Sequence, residues 1–386
     1  MNKDLSSMQM DPHLAYRLLA DGAVLVIAGV PVGTEFGVDL CAYTIGPDFR
    51  GVKMIPPGMH YVWCASCGPY GDAAPRVGFV HYFHPNEILV REWDKELEEL
   101  RPRQIADPEE ERQRIKKNLA QLERVLAPYD YRYVGPWKEL TGTVTEACVN
   151  RCRPAHASGT IRTNIELQSC PDADRPRGPG SSKRNTAARL LMDESELLPQ
   201  LKPVEGTAPR FTEVPQRVPV DALPADVSRH AMDCIAAIDT LLDKFPKDEL
   251  SPDDKLISEL QIAYVFFLVG YSVESLAHWR KLLALLSHSE TAIIKYKLFY
   301  MKYTEVLAHQ LPHLPEELMC PGPQNTVFKD VRELLVNLHA GGLRVSAERL
   351  AKRLAKQLNW IFENLLDEDP EEQPVIIELP EIVESS

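Results

Sequence analysis

Long apolar runs are missing from this chain: no stretch reaches the roughly 18 uninterrupted apolar residues that a membrane-spanning helix needs. The start Met1-Asn2-Lys3-Asp4 is followed by no signal-peptide core, so the expected location is the cytoplasm, with the nucleus as a second compartment. Cysteine is thin for a disulfide framework. Eight residues (Cys41, Cys64, Cys67, Cys148, Cys152, Cys170, Cys234, Cys320) are scattered over 386 and read as reduced thiols. An excess of Lys and Arg is lacking too. With 43 basic against 56 acidic side chains and a net charge of -13, naked nucleic acid is not expected as the main partner, because phosphate contacts need grouped cations. There is no Gly-x-Ser-x-Gly elbow and no His-Glu-x-x-His, and nothing singles out two of the many carboxylates as an acid/base pair. No catalytic residue and no cofactor follow from these patterns. No internal repeat of fixed period is present, which disfavours a solenoid of many copies.

What is present suits two domains: the length exceeds one ordinary core, and 44% hydrophobic with 26% charged residues is a globular composition. The organising stretch runs from Leu256 to Ser289. Apolar residues are almost unbroken from Ile262 to Val269, which leaves no polar face for water and predicts a helix packed on most sides. Gly270 reads as its stop and Ser272 as the N-cap of a second helix, along which Leu276, Trp279, Leu282, Leu283 and Leu286 recur at helical spacing. Ahead of this αα-hairpin, Asp11-Pro12 opens a short helix through Leu19. Then β-branched and aromatic runs follow at Ala23 to Ala28, Thr34 to Asp39, Ala42 to Ile45, Val52 to Ile55, Met59 to Cys64, Val77 to Phe83 and Ile88 to Trp93, punctuated by Gly and Pro. That spacing predicts an antiparallel sandwich or barrel. A helix near 107–127 carries the stripe Ile115, Leu119, Leu122 and Leu126.

The expected plan is therefore α+β: a β-rich domain over 8–150, an irregular segment over 151–219 with a mobile loop near 170–186, an all-α domain over 220–367, and an acidic linker with a strand-like tail over 368–386. The helical domain includes a stripe of Ile293, Tyr296, Tyr300, Tyr303 and Leu307, read as core, a helix from about Thr326 to Leu338, and a last helix from Arg344 to Leu366 with Leu350, Leu354, Leu358 and Ile361 on one face.

Several constellations imitate sites. Cys64-x-x-Cys67 with His81-x-x-His84 has the residues of a zinc centre, but the histidines fall in a strand run that sends their rings to opposite faces, so no metal is expected. His309 and His313 stand four apart, with Pro312 breaking the helix that would align them. Gly33-Thr34-Glu35-Phe36-Gly37 lacks the Lys of a phosphate loop and reads as a β-turn. The tail Pro374-Val375-Ile376-Ile377-Glu378-Leu379-Pro380 is a lone strand after the solvated run Asp367 to Glu372. It either folds back on the chain's own sheet or adds to a partner's, and the residues alone leave both open.

Three stretches together resemble the Aar-two splicing factor family. Gly33 to Asp39 (GTEFGVD) and Gly46 to His60 (GPDFRGVKMIPPGMH) are similar to its N-terminal signature; Glu259 to Tyr264 (ELQIAY) and Glu274 to Leu283 (ESLAHWRKLL) to its helical signature; Pro374 to Pro380 to its terminal segment. Nothing aligns from about Cys148 to Leu201. The resemblance implies a β-rich domain followed by a helical domain of the VHS type, no catalysis, and an assembly factor for the U-five small nuclear ribonucleoprotein. It further implies that the protein binds Prp-eight through its RNase H-like and Jab/MPN-like domains and blocks premature binding of the helicase Brr-two. In this chain the strand added to the partner maps onto Val375, Ile376, Ile377, Glu378 and Leu379. The alternative is a cytoplasmic adaptor that binds peptides with its helical domain.

Overall fold

A computed structural model describes residues 21–68, 70–103, 110, 113–114, 117–118, 121–156, 158–162, 165–167, 201–203, 205–217, 233–246, 250–322 and 324–362. The expected helix at Asp11 to Leu19, the loop near 170–186 and the terminal strand lie outside the described residues, as does part of the expected helix near 107–127.

The β-rich part runs β1 (Ala23–Ala28), β2 (Glu35–Val38), β3 (Cys41–Thr44), β4 (Gly51–Ile55), β5 (Gly58–Ala65), β6 (Val77–Phe83), β7 (Ile88–Asp94), β8 (Glu99–Pro102) and β9 (Ala127–Pro128). Helices α1 (Val134–Thr141) and α2 (Glu146–Cys152) follow, then short strands β10 (Thr160–Arg162), β11 (Ile165–Leu167) and β12 (Leu201–Pro203). Two five-stranded sheets form, ordered β8-β7-β1-β4-β9 and β10-β6-β5-β2-β3, while β11 and β12 pair with each other. A shared core of Leu25, Ile27, Phe36, Val52, Val62, Phe79, Phe83 and Trp93 draws on both five-stranded sheets, as a sandwich requires. All seven strands read from the sequence are present. The purely antiparallel expectation is corrected: β1 pairs parallel with β7, and β4 parallel with β9, because in both cases the chain passes through β5 and β6 of the second sheet before returning to the first.

The all-helical region is α3 (Ile235–Asp243), α4 (Pro252–Leu268), α5 (Val273–Ser287), α6 (Glu290–Lys295), α7 (Lys297–Gln310), α8 (Glu316–Met319), α9 (Thr326–Ala340) and α10 (Arg344–Leu358). Compactness groups the described residues of Met1–Val220 and Ala237–Leu282 in one unit, and those of Asp221–Ala236 and Leu283–Ser386 in a second. Most of the central hairpin thus belongs with the strands.

In the first unit, Ser251 caps α4 by accepting from Asp254 N, and Pro252 occupies the first turn. Every residue from Lys255 to Phe266 is buried, as the lack of a polar face predicted. The stop differs from its expected form. Tyr271, not Gly270, takes the left-handed conformation (φ 57°), with Tyr271 N donating to Phe267 O at 2.9 Å and Ser272 N to Phe266 O at 3.2 Å. Gly270 is needed for space: a Cβ there would stand 2.3 Å from the Tyr61 hydroxyl and 2.7 Å from Phe266 O. Arg76 fixes the same corner. Its guanidinium lies between the Trp63 and Tyr271 rings, 3.6 and 4.2 Å from their centroids, and donates to Val269 O at 2.7 Å.

In the second unit, the expected single helix through Tyr296 is two. Tyr296 leaves helical geometry (φ -114°, ψ 46°), and Tyr300 and Tyr303 are fully buried beyond the break. Tyr300 donates its hydroxyl to Leu286 O at 2.9 Å. The last helix ends at Leu358 rather than Leu366, because Asn359 adopts φ 55° and closes it in the left-handed conformation that Asn tolerates. Trp360 is consequently the buried residue, its indole donating to Met319 O, and Ile361 is 60% exposed.

Gly270→Ala is expected to destabilise the protein by about 1–3 kcal/mol through overpacking against Tyr61, measured as a lower denaturation midpoint with unchanged slope. A neutral effect would mean that the helix end does not rest on the strand.

Candidate functional site

Two buried carboxylates organise the residues of the signature stretches. The first belongs to α4, where Glu259 is wholly buried. An ionised carboxylate there requires partners on all sides. It has them: His278 Nε2 lies 2.9 Å from Oε1, Arg151 Nη1 2.7 Å from Oε2, and Thr212 donates its backbone N–H to Oε1 and its hydroxyl to Oε2, both at 2.8 Å. Each donor comes from a different element: α5, α2 and the extended stretch 205–217. Phe211 stacks on His278 at 4.4 Å and 7°, and Arg210 donates Nε to Arg153 O at 2.6 Å. Burial works to raise the Glu259 carboxyl, but the bonds from His278 and Thr212 and the Arg151 charge outweigh it and hold it below the ordinary glutamate range. Its neighbours on α4 bind a third element. Gln261 Oε1 accepts from Thr143 N and Oγ1 at 3.2 and 2.6 Å, and Ser258 Oγ donates to Thr143 O at 2.6 Å.

The second carboxylate joins the two halves of the N-terminal signature. Asp39, 1% exposed and at φ 57°, accepts from Tyr61 N on Oδ1 at 2.9 Å and from the Tyr129 hydroxyl on Oδ2 at 2.5 Å, with His60 Nδ1 2.6 Å from Oδ2. His60 Nε2 meets Pro56 O at 2.7 Å, so both ring nitrogens face oxygens. Trp137 stacks on the same imidazole and donates to Met59 O at 2.7 Å. Burial and the adjacent Asp39 charge push the Tyr129 phenol far up, so it stays a hydrogen-bond donor. Gly37, expected in a β-turn, is instead inside β2, paired with Ala42 and Trp63, and must be glycine because the Trp63 ring passes 2.1 Å from where its Cβ would be; the turn occupies Pro31 to Thr34.

Chemically, both clusters contain the carboxylate–histidine pair of an acid/base site. Geometry denies them that role. Asp39, His60 and Glu259 are at most 2% exposed and their polar atoms are occupied by structural partners, which leaves no position for a reacting atom.

The imitation sites are dispersed. Cys64 donates its thiol to Val77 O at 3.5 Å and is pushed up to about 12 by burial, whereas Cys67 is exposed. His81 pairs with Glu87 at 2.7 Å and His84 with Glu146 at 3.2 Å. His309 lies against Arg353, and His313 ends the 3-10 turn Leu311–His313 that Pro312 imposes. Among the described residues no group of three or more His, Cys, Asp or Glu is placed to hold a metal ion. Val375, Ile376, Ile377, Glu378 and Leu379 lie outside the described residues. Arg151, Phe211 and Thr212 were missed by sequence reasoning. Glu259, on the helix that carries the apolar run Ile262 to Val269, was the one available signal, since a carboxylate buried on such a helix demands distant partners.

The profile described as the AAR2 N-terminal domain matches residues 21–154, and that described as the AAR2 C-terminal repeat region matches residues 211–363. The chain belongs to the AAR2 family. It is 34% identical to Protein AAR2 homolog of Homo sapiens over 98% of this chain and 100% of that one, and to the Mus musculus homolog at 34% over 99% and 100%. The Caenorhabditis elegans homolog is 27% identical over 92% of this chain and 98% of its own length. Both AAR2 matches contain one of the carboxylate clusters: Asp39, His60 and Tyr129 fall in the first, and Glu259, Thr212 and His278 in the second.

Glu259→Ala is expected to cost about 3–5 kcal/mol, because it strands Arg151 and His278 around an empty carboxylate position. The pH dependence has a defined sign. A carboxyl held below its unfolded value contributes stability that is present above the ordinary glutamate value of 4.5 and is lost as pH falls through the lower folded value. Unfolding of Glu259→Gln should therefore be less steeply pH-dependent than wild type below pH 4.5, measured by urea titration at each pH. Parallel curves would remove Glu259 as a source of acid lability.

Proposed function

We propose that this AAR2 family member is a non-enzymatic assembly factor in pre-mRNA splicing, acting on the U-five small nuclear ribonucleoprotein from the cytoplasm, with access to the nucleus. It binds Prp-eight at the RNase H-like and Jab/MPN-like domains and keeps Brr-two off until the particle matures. The observation that carries this reading is kinship along the whole chain: both AAR2 profiles match in order, and relatives are covered from end to end. Two further features support it. The carboxylate clusters are consumed in holding the fold, in keeping with a reading that asks no chemistry of them. The acidic balance of 56 against 43 suits a protein partner better than bare RNA.

The attachment assigned to the tail is strand addition, in which backbone hydrogen bonds supply affinity and alternate side chains supply specificity. Ile377→Glu should weaken capture of Prp-eight about tenfold or more while leaving the thermal midpoint unchanged, since a carboxylate forced against a docked sheet costs roughly 1–3 kcal/mol. The deciding experiment compares the tagged full chain with a version ending at Asp369, each recovered from cell extract and examined by mass spectrometry. The full chain is expected to bring Prp-eight without Brr-two, and the shortened one to lose most of it. Recovery of no splicing component by either would overturn the assignment; equal recovery by both would remove the tail from it.

A further inference from the structure

In the second unit, α7 and α10 run side by side in parallel. Their register is set by Arg349 Nη1, 3.9 Å from Glu305 Oε1, and by Arg353 Nη2, 3.0 Å from His309 Nδ1. The same offset brings Val345 level with Met301. Large apolar side chains stand uncovered at this end: Leu298 is 76% exposed, Met301 46% and Val345 68%. Leu298 lies one turn before Met301 and Val345 one turn before Arg349, and both Met301 and Arg349 line the groove between the helices. The cavity there, lined also by Thr304, Ala308 and Leu350, is about 60 Å³. That is far below the ~300–1,000 Å³ of small-molecule sites and suits one apolar side chain of a segment lying across it.

The charge of α10 is the reverse of the chain's. It carries Arg344, Arg349, Lys352, Arg353 and Lys356 against a single acid, Glu348, in a protein of net charge -13. Arg349, Lys352 and Lys356 recur at helical spacing and make a cationic stripe leading from the end of α10 back to Val345. The Arg349–Glu305 pair, with side chains 72% and 69% exposed, neutralises little of it. Nucleic acid would use the stripe and leave Leu298, Met301 and Val345 in water.

The chain has a segment of matching order just beyond this helix. After α10 ends at Leu358 come the acids Asp367, Glu368, Asp369, Glu371 and Glu372, and then the apolar Val375, Ile376, Ile377 and Leu379. A segment returning along α10 meets the stripe first and the apolar end of the groove second. The lengths agree: Lys356 to Val345 is about 16 Å of helix, and Glu368 to Ile376 spans up to about 26 Å of extended chain.

We propose that the groove between α7 and α10 is the docking site of the chain's own segment Asp367 to Leu379 in the free protein, with the acids on the stripe and the isoleucines over Leu298 and Met301. The docked state belongs to the free chain. Only its consequence rests on the function proposed above: strand addition to Prp-eight has to lift the segment from the groove.

The test is zero-length carbodiimide cross-linking of the full chain, an equal mixture of nitrogen-15-labelled and unlabelled protein, read by mass spectrometry. Glu378 should join Lys297 or Lys302, which flank Leu298 and Met301, within single copies and in preference to Lys329. Lys329 is the control because its neighbour Phe328 stacks on Phe362, where the chain leaves the helices. The double variant Leu298→Asp, Met301→Asp should lower these links about tenfold with an unchanged thermal midpoint, since both side chains are exposed; salt at about 1 M should lower them too. Links to Lys329 as frequent as those to Lys297 and Lys302, links that the double variant leaves intact, or links found only between differently labelled copies would overturn the proposal. No splicing component enters the experiment, so its failure leaves the Prp-eight reading untouched.

Discussion

The Glu259 carboxylate is the constraint on which the first unit depends. An ionised group with no exposed surface is tolerated only if its oxygens are fully used, and here they are used by three segments that lie far apart in sequence. Apolar packing alone would hold α4 against its neighbours without fixing its rotation or its register along its own axis. Ser258, Glu259 and Gln261 point at specific donors and acceptors on Thr143, Arg151, Thr212 and His278, so a displaced α4 would strand several buried polar groups at once. The stretch 205–217 shows the same logic from the other side. It has no regular structure, and its place is set by Arg210, Phe211 and Thr212 meeting carbonyls, an imidazole and a carboxylate.

Asp39 does for the sandwich what Glu259 does for α4. It sits in a left-handed turn between β2 and β3, and bonds to Tyr61, His60 and Tyr129 tie that turn to β5 and to the segment after β9. The two signature halves are separated in sequence by β3 and meet in space at this carboxylate. Residues that look catalytic by type are therefore architectural by position.

Legibility in the sequence followed the range of the interaction. The seven strands from Ala23 to Trp93 and the hairpin around Gly270 were readable because β-branched alternation, Gly and Pro punctuation and an apolar helical run are local properties. Short β8, β9 and β10 were not readable. Glu99-Leu100-Arg101-Pro102 is a strand only because β7 offers it an edge. Tyr271 could not be foreseen as the left-handed residue beside a glycine, because Tyr61 and Arg76 decide it from another sheet position.

The sequence by itself determined the α+β class, the order of the strand-rich and helical regions, and the kinship with AAR2 proteins, since each rests on patterns within a few residues or on long colinear motifs. Tertiary structure alone decided which strands run parallel, where the last helix stops, and that Glu259 gathers Arg151, Thr212 and His278 while Asp39 gathers His60 and Tyr129. The physical reason is that a buried charge specifies a need for partners but not their address. The address is set only when packing brings distant segments to the same few ångströms.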